Sequence, residues 1–158
     1  MIQRVQIRNY RSLAEVDVDL GPVTVLAGRN GSGKSNFVDA LRFLSDAVNL
    51  GLEAAVMKRK GIGALRRWSK SRPRDLMIAV EGTTTKPVRS YEYSLELGSR
   101  SGGGFHVKRE TFRSSGDAEW ETEYEVSQGK VVHIEGKGMV HLDEVQMPPT
   151  GLLLSARY

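Results

Sequence analysis

The fold of this 158-residue chain is decided by the stretch Gly28-Arg29-Asn30-Gly31-Ser32-Gly33-Lys34-Ser35. It matches the pattern G-x-x-x-x-G-K-S of a phosphate-binding loop, which requires a strand before it and a helix after it. Residues 23–27 are almost continuously apolar, which predicts a strand covered on both faces. From Lys34 onward apolar residues recur at helical spacing, which predicts an amphipathic helix that ends near residues 49–51.

Each residue type in this loop suits the binding of a phosphate group. Glycines allow positive φ angles and let backbone N–H groups approach phosphate oxygens closely. Those N–H groups and the helix N-terminus form a concave nest for an anion. Lys34 supplies a mobile positive charge to β- and γ-phosphates, and the Ser35 hydroxyl is a ligand for Mg²⁺. The strand and helix context favours a nucleotide site over a simple glycine-rich turn.

Two short strands are predicted before the loop. Residues 5–7 and 16–20 alternate apolar and polar side chains, and the tetrapeptide Asn9-Tyr10-Arg11-Ser12 lies between them as a turn. The dipeptide Gly21-Pro22 ends the second strand. After the loop helix, a second short helix is predicted over residues 52–59.

The rest of the chain has the pattern of antiparallel hairpins. Strands are predicted at 76–80, 91–97 and 120–126, the last with a row of glutamates on its outer face, and turns at 82–87, 102–104, 114–117 and 128–129. The predicted fold class is therefore α/β, a strand–loop–helix core with an antiparallel β-hairpin subdomain. We expect a single domain divided into a loop core at 1–50, a helical and basic segment at 51–75, hairpins at 76–145 and the start of a further element at 146–158.

Composition excludes several classes of protein. With 39% apolar and 27% charged residues, the chain is typical of a soluble globular domain. The absence of cysteine excludes disulfides, thiolate zinc sites and thiol chemistry, and it suits a reducing cytosol. We expect a cytoplasmic protein without a membrane partner, because no apolar run approaches 18 residues and the N-terminus is unlike a signal peptide. The net charge of +4 mildly favours polyanionic partners.

The segment GRNGSGKSNFVDALRFL, residues 28–44, resembles the phosphate loop of ABC-type ATPase heads of the SMC, RecF and OLD kind. Heads of this kind share an N-G-x-G-K-S-N core that leads into a D-A-L helix, and an N-[FY]-R-S turn upstream. The resemblance is specific over residues 1–48 and looser through the hairpins, which resemble the β-subdomain of the amino-terminal lobe.

The resemblance implies ATP and Mg²⁺ as ligands and a switch or motor that acts on DNA or on a partner protein. It implies nucleotide contacts from Asn30 to Asn36, with Ser35 on Mg²⁺, and it places Arg11 and Ser12 near the nucleotide. The alternative is that Arg11 and Ser12 occupy surface positions in an ordinary turn. It also implies a missing carboxy-terminal lobe and a head-to-head homodimer of the full-length protein, in DNA repair, chromosome maintenance or phage defence.

Two segments imitate motifs that such ATPases require downstream, where an aspartate holds Mg²⁺ and a glutamate activates water. Residues 101–104 resemble a signature S-G-G element, but a strand pattern follows, so we interpret them as a hairpin turn. Residues 139–144 resemble a Walker B strand that ends at Asp143 and Glu144, but His141 stands where an apolar residue belongs. We therefore expect the Walker B and signature motifs to be absent from this chain.

Two other functions remain open. One is a compact P-loop kinase or GTPase that uses Asp143 and Glu144 as a complete site. The other is a nucleic-acid-binding module built on the basic stretch 58–74, which includes Trp68 and for which a solvated surface is the plainer interpretation. His106, His133 and His141 lie in separate predicted strands without a partner at ligand spacing, so no metal site is predicted there.

Overall fold

The computed structural model describes residues 1–85, 88–100, 104–116, 122–128, 130–136 and 150–152. Within these residues the chain forms β1 (Ile2–Tyr10), β2 (Leu13–Asp19), α1 (Lys34–Leu50), α2 (Leu52–Met57), α3 (Ile62–Leu65), β3 (Leu76–Thr85), β4 (Val88–Ser99), β5 (Phe105–Gly116), β6 (Thr122–Ser127) and β7 (Lys130–Gly136). None of the described helices is long and apolar enough to cross a membrane.

The strands form one antiparallel sheet in the order β2-β1-β3-β4-β5-β6-β7. β1 lies between β2, its hairpin partner, and β3, the first strand after the helices. Val5 of β1, for example, is opposite Val18 of β2 and Val80 of β3. The hairpin before the phosphate loop and the hairpins after the helices are therefore parts of the same sheet.

The core lies between the helices and one face of this sheet. α1 buries one stripe of its surface, formed by Phe37, Ala40, Phe43, Leu44 and Ala47. These side chains join inward-facing residues of β1, β3, β4 and β5 in a single apolar cluster, as the alternation along the strands predicts. The opposite face of the sheet is polar and open, with residues such as Glu92 and Arg113.

The predicted strand at residues 23–27 is wrong for this structure. The segment belongs to no strand of the described sheet, and Val23 and Val25 are 85% and 82% exposed. An apolar run of this kind becomes a buried strand only where neighbouring strands pair with it and cover it. No described residue does so here, and the strand–loop–helix prediction holds only for its loop and helix.

Other element boundaries were predicted with mixed success. The structure confirms α1 to within a residue and confirms the inward position of Tyr124 and Val126 in β6. The turns predicted at 82–87 and 114–117 are wrong in extent, because β3 continues to Thr85 and β5 to Gly116. In these segments the backbone pairs with neighbouring strands, which local turn propensity does not predict. Ser90 of β4, for example, is opposite Thr83 of β3 and Ser115 of β5. α2 ends at Met57, before the predicted 59.

Candidate functional site

The phosphate loop has the backbone geometry that its glycines permit. Gly28, Gly31 and Gly33 have φ angles of 153°, 81° and 98°. At Gly33 a second constraint applies, because a Cβ atom there would lie 2.7 Å from Cδ2 of Leu13. The loop therefore approaches the first hairpin at a point where only glycine fits.

The loop ends at a helix start without a side-chain cap. Gly33 is the N-cap residue of α1, no side chain there makes a capping hydrogen bond, and the first turn contains no acidic residue. The first backbone N–H groups of a helix have no partner within the helix and carry the positive end of its dipole. The start of α1 thus presents free donors and positive potential directly after the glycines, which is an arrangement suited to an anion.

The ammonium group of Lys34 lies within the loop. Its Nζ donates hydrogen bonds to the carbonyl oxygens of Gly28 and Arg29, both at 2.7 Å, and is 3.3 Å from Oγ of Ser32. Ser35, the next residue of α1, is exposed. A positive charge, an exposed hydroxyl and the uncapped helix start therefore lie within a few residues of one another.

The turn between β1 and β2 contacts the beginning of α1. Asn36 donates from Nδ2 to Oγ of Ser12 at 2.7 Å, and Nη2 of Arg11 lies 3.1 Å from Oδ2 of Asp39. Arg11 has a positive φ angle of 48°, and its backbone N–H donates to the carbonyl of Leu65 at 2.7 Å. The structure therefore brings Arg11 and Ser12 to the helix that the loop opens.

The sequence did not predict a cluster of charged side chains around Asp39 and Asp46 of α1. The side chain of Arg59, only 6% exposed, donates from Nε to Asp39 at 3.2 Å and from Nη1 to Asp46 at 2.8 Å. Lys58 also donates to Asp46, at 3.0 Å, and Tyr10 donates from its hydroxyl to Asp39 at 2.5 Å. Asp39 and Asp46 are seven residues apart, which is two helical turns, so their spacing was the available signal.

Burial and charge shift the pKa values in this cluster. Burial raises the pKa of Tyr10, and the hydrogen bond to Asp39 adds to that effect. Hydrogen bonds from Lys58 and then from Arg59 lower the pKa of Asp46. Burial acts to lower the pKa of Arg59, but the hydrogen bond to Asp46 and the charge of Asp39 outweigh it and raise that pKa. The Asp46 carboxylate and the Arg59 guanidinium are therefore held in their charged forms, and their contact joins the segment after α2 to α1.

The remaining residues that the sequence singles out either lie outside the described residues or belong to strands of the sheet. The Walker B imitation at 139–144, with His141, Asp143 and Glu144, and the three residues 101–103 lie outside the described residues. His106 belongs to β5, where its ring lies against Gly98, and His133 belongs to β7. No group of three or more potential metal ligands occurs within the described ranges.

Comparison with protein families gives a match over most of the chain. A model described as "AAA ATPase domain" matches residues 1–125, which covers the phosphate loop, the three helices and the sheet through β5.

Comparison with characterised proteins gives shorter matches. The chain is 42% identical over 41 residues to the OLD nuclease of Thermus scotoductus, and 49% identical over 45 residues to the DNA replication and repair protein RecF of Brucella abortus. It is 31% identical over 93 residues to RecF of Streptococcus uberis. These segments cover 26%, 28% and 54% of this chain, but only 8%, 12% and 26% of the relatives.

Proposed function

Because this chain belongs to the AAA ATPase domain family, an ATPase head of the SMC, RecF and OLD kind, we propose that its phosphate loop binds ATP with Mg²⁺. The observation that carries the proposal is the uncapped start of α1 directly behind glycines at positive φ, with the Lys34 ammonium inside the loop. Backbone N–H groups from Asn30 to Asn36 would hold the phosphate oxygens.

Individual side chains have distinct roles in this proposal. Lys34 exchanges the carbonyl oxygens of Gly28 and Arg29 for β- and γ-phosphate oxygens, which are stronger partners because they carry charge. Ser35 provides its hydroxyl to Mg²⁺, which neutralises phosphate charge when bound. Arg11 and Ser12 lie beside the helix start, where they can reach a bound nucleotide.

We further propose that these residues are the amino-terminal lobe of a larger ATPase. The exposed apolar segment at 23–27 supports this, because such a segment at a phosphate loop is stable as a strand only between neighbouring strands. In the proposed whole protein, a second lobe supplies those strands and the water-activating groups, and two heads associate face to face. We propose that the whole protein acts on DNA in repair, chromosome maintenance or phage defence in the cytoplasm, and the name of the RecF relatives supports a role in repair.

This proposal predicts nucleotide binding without turnover by the 158-residue chain. Calorimetric titration should give affinities in the order ATP, ADP, AMP, because the loop and Lys34 address the β- and γ-phosphates. Phosphate release should be negligible, since loss of a positioned catalytic base alone slows reactions by about 10²–10⁴. Equal affinity for AMP and ATP would contradict the loop assignment. Steady release that Glu144→Gln abolishes would contradict the lobe assignment and favour a compact kinase or GTPase.

A further inference from the structure

The basic stretch between Glu53 and Asp75 contains eight cationic side chains and no acidic residue. The structure divides these cations into two groups. Lys58 and Arg59 are paired with aspartates of α1. Arg66 donates from Nη1 to Oγ of Ser99 at 2.8 Å and from Nη2 to the carbonyl of Gly98 at 2.6 Å. These three cations hold the fold together, and their contacts leave them unsuited to an external ligand.

The other five cations have no acidic partner among the described residues. They are Lys60, Arg67, Lys70, Arg72 and Arg74. All except the half-buried Arg67 are exposed, and four of the five lie within residues 67–74. We name residues 67–74 the Trp68 platform.

Trp68 gives this platform a flat apolar surface. Its side chain is 76% exposed, although burial of an indole is normally favourable. The backbone beside it is fixed to β1, because Arg66 forms a β-bridge with Tyr10 and the N–H of Arg67 donates to the carbonyl of Asn9 at 2.8 Å. The indole is therefore presented to solvent from an anchored backbone, with cations on both sides along the chain.

We propose that the Trp68 platform binds single-stranded nucleic acid. An unpaired base stacks on the Trp68 ring, and the phosphates on either side contact Lys70, Arg72 and Arg74. In a duplex the faces of the bases are already stacked on each other, so the indole would add nothing to duplex binding. A membrane surface is a poorer fit, because the neighbours Ser69, Ser71 and Pro73 offer no further large apolar side chain.

The test measures binding of labelled 20-nucleotide oligo(dT), oligo(U) and a 20-base-pair duplex by fluorescence anisotropy, without ATP or Mg²⁺. Omission of nucleotide makes the outcome independent of the phosphate-loop proposal. Trp68→Ala should weaken binding of the single strand about 5- to 150-fold, and Trp68→Phe should retain most of it. Oligo(dT) and oligo(U) show whether DNA or RNA is the better strand. The exposed position of Trp68 leaves the thermal midpoint of both variants unchanged.

Matched charge variants separate stacking from general attraction. Lys70→Gln combined with Arg72→Gln should weaken single-strand binding and reduce the slope of log affinity against log salt by up to about 1.4. Arg89→Gln combined with Lys130→Gln removes the same charge from β4 and β7 and should leave affinity near wild type. The proposal is overturned if Trp68→Ala binds the single strand as wild type does. It is also overturned by tighter binding of the duplex, by binding of phosphatidylserine vesicles alone, or by no binding at low salt.

Discussion

Gly33 and Asn36 join the phosphate loop to the first hairpin through two different kinds of contact. At Gly33 the absence of a side chain lets the loop pass against Leu13, while Asn36 donates a hydrogen bond to Ser12 one turn into the helix. A change at either point would move the start of α1 relative to the turn between β1 and β2. The geometry of the candidate site therefore depends on the hairpin as well as on the loop itself.

Asp46 provides a prediction that depends on pH. Lys58 and Arg59 lower the pKa of Asp46 in the folded chain. Its charged form therefore stabilises the fold at pH values above the ordinary aspartate pKa of about 3.9. That stabilisation is lost as the pH falls through the lowered folded-state pKa. Asp46→Asn should therefore lower the thermal midpoint at pH 7, and the difference from wild type should shrink below about pH 4. Circular dichroism melts at pH 7, 5 and 3 measure this.

The control for this prediction is Glu92→Gln. Glu92 is exposed on the open face of the sheet and makes no ion pair within the described part of the chain. Its replacement should change the midpoint little at pH 7. If the deficit of Asp46→Asn persisted unchanged at pH 3, the charge contacts between α2 and α1 would not be its cause.

At the scale of elements, the segment at 23–27 differs most from its predicted structure. Its composition is that of a buried strand, yet its side chains are exposed within the described structure. The apolar composition indicates that the segment is stable as a strand only when other strands cover it. Whether such strands are present depends on the three-dimensional structure. In the proposed larger ATPase, this segment marks the surface that the second lobe covers.

This exposure predicts an unequal effect of the same substitution at two valines. Val25→Ala should change the free energy of unfolding by less than about 0.5 kcal/mol, as is usual for exposed sites. Val5→Ala, in the fully buried centre of β1, should cost about 2 kcal/mol, for two lost carbon groups and a small cavity. Urea unfolding of both variants measures the difference. If Val25→Ala lowered the free energy of unfolding as much as Val5→Ala, residues 23–27 would be packed against the rest of the domain.

The elements that could be predicted from the sequence are those whose pattern is local. Helix α1 follows from its apolar period, and the inward side of β6 follows from alternating residues that include Tyr124 and Val126. Strand ends could not be predicted, because Thr85 is held in β3 by its pairing with Val88 of β4. The ion pairs of Arg59 could not be predicted either, since the spacing of Asp39 and Asp46 indicates a shared helix face but does not identify the cation that pairs with them.

The candidate site shows the same difference between features that a local pattern predicts and features that depend on long-range packing. The loop glycines and Lys34 could be proposed as binding residues because a motif with fixed spacing predicts their chemistry. From the residues alone, the contact of Ser12 with Asn36 could not be derived, because it depends on how the hairpin packs against the helix. Long-range packing of this kind has no short-range signal in a single sequence.

At the scale of the whole molecule, the end of β1 and the turn that follows it, residues 9–12, connect three regions. On one side Arg11 and Ser12 contact α1 behind the phosphate loop. On the other side the backbone of Asn9 accepts from Arg67, beside the Trp68 platform, and its side chain donates to the carbonyl of Asp75 before β3. The proposed nucleotide site, the platform and the sheet are therefore linked through one short segment, residues 9–12.

The central claim is that this loop binds the phosphates of a nucleotide, and calorimetric titration of Mg-ATP into wild type and Lys34→Ala tests it most directly. Loss of a charged hydrogen bond is worth about 1.5–3 kcal/mol, so Lys34→Ala should bind about 10- to 150-fold more weakly. Lys130→Ala, which removes an exposed lysine of β7, should bind as wild type does. Equal affinity of wild type and Lys34→Ala, or no binding by wild type, would contradict the account.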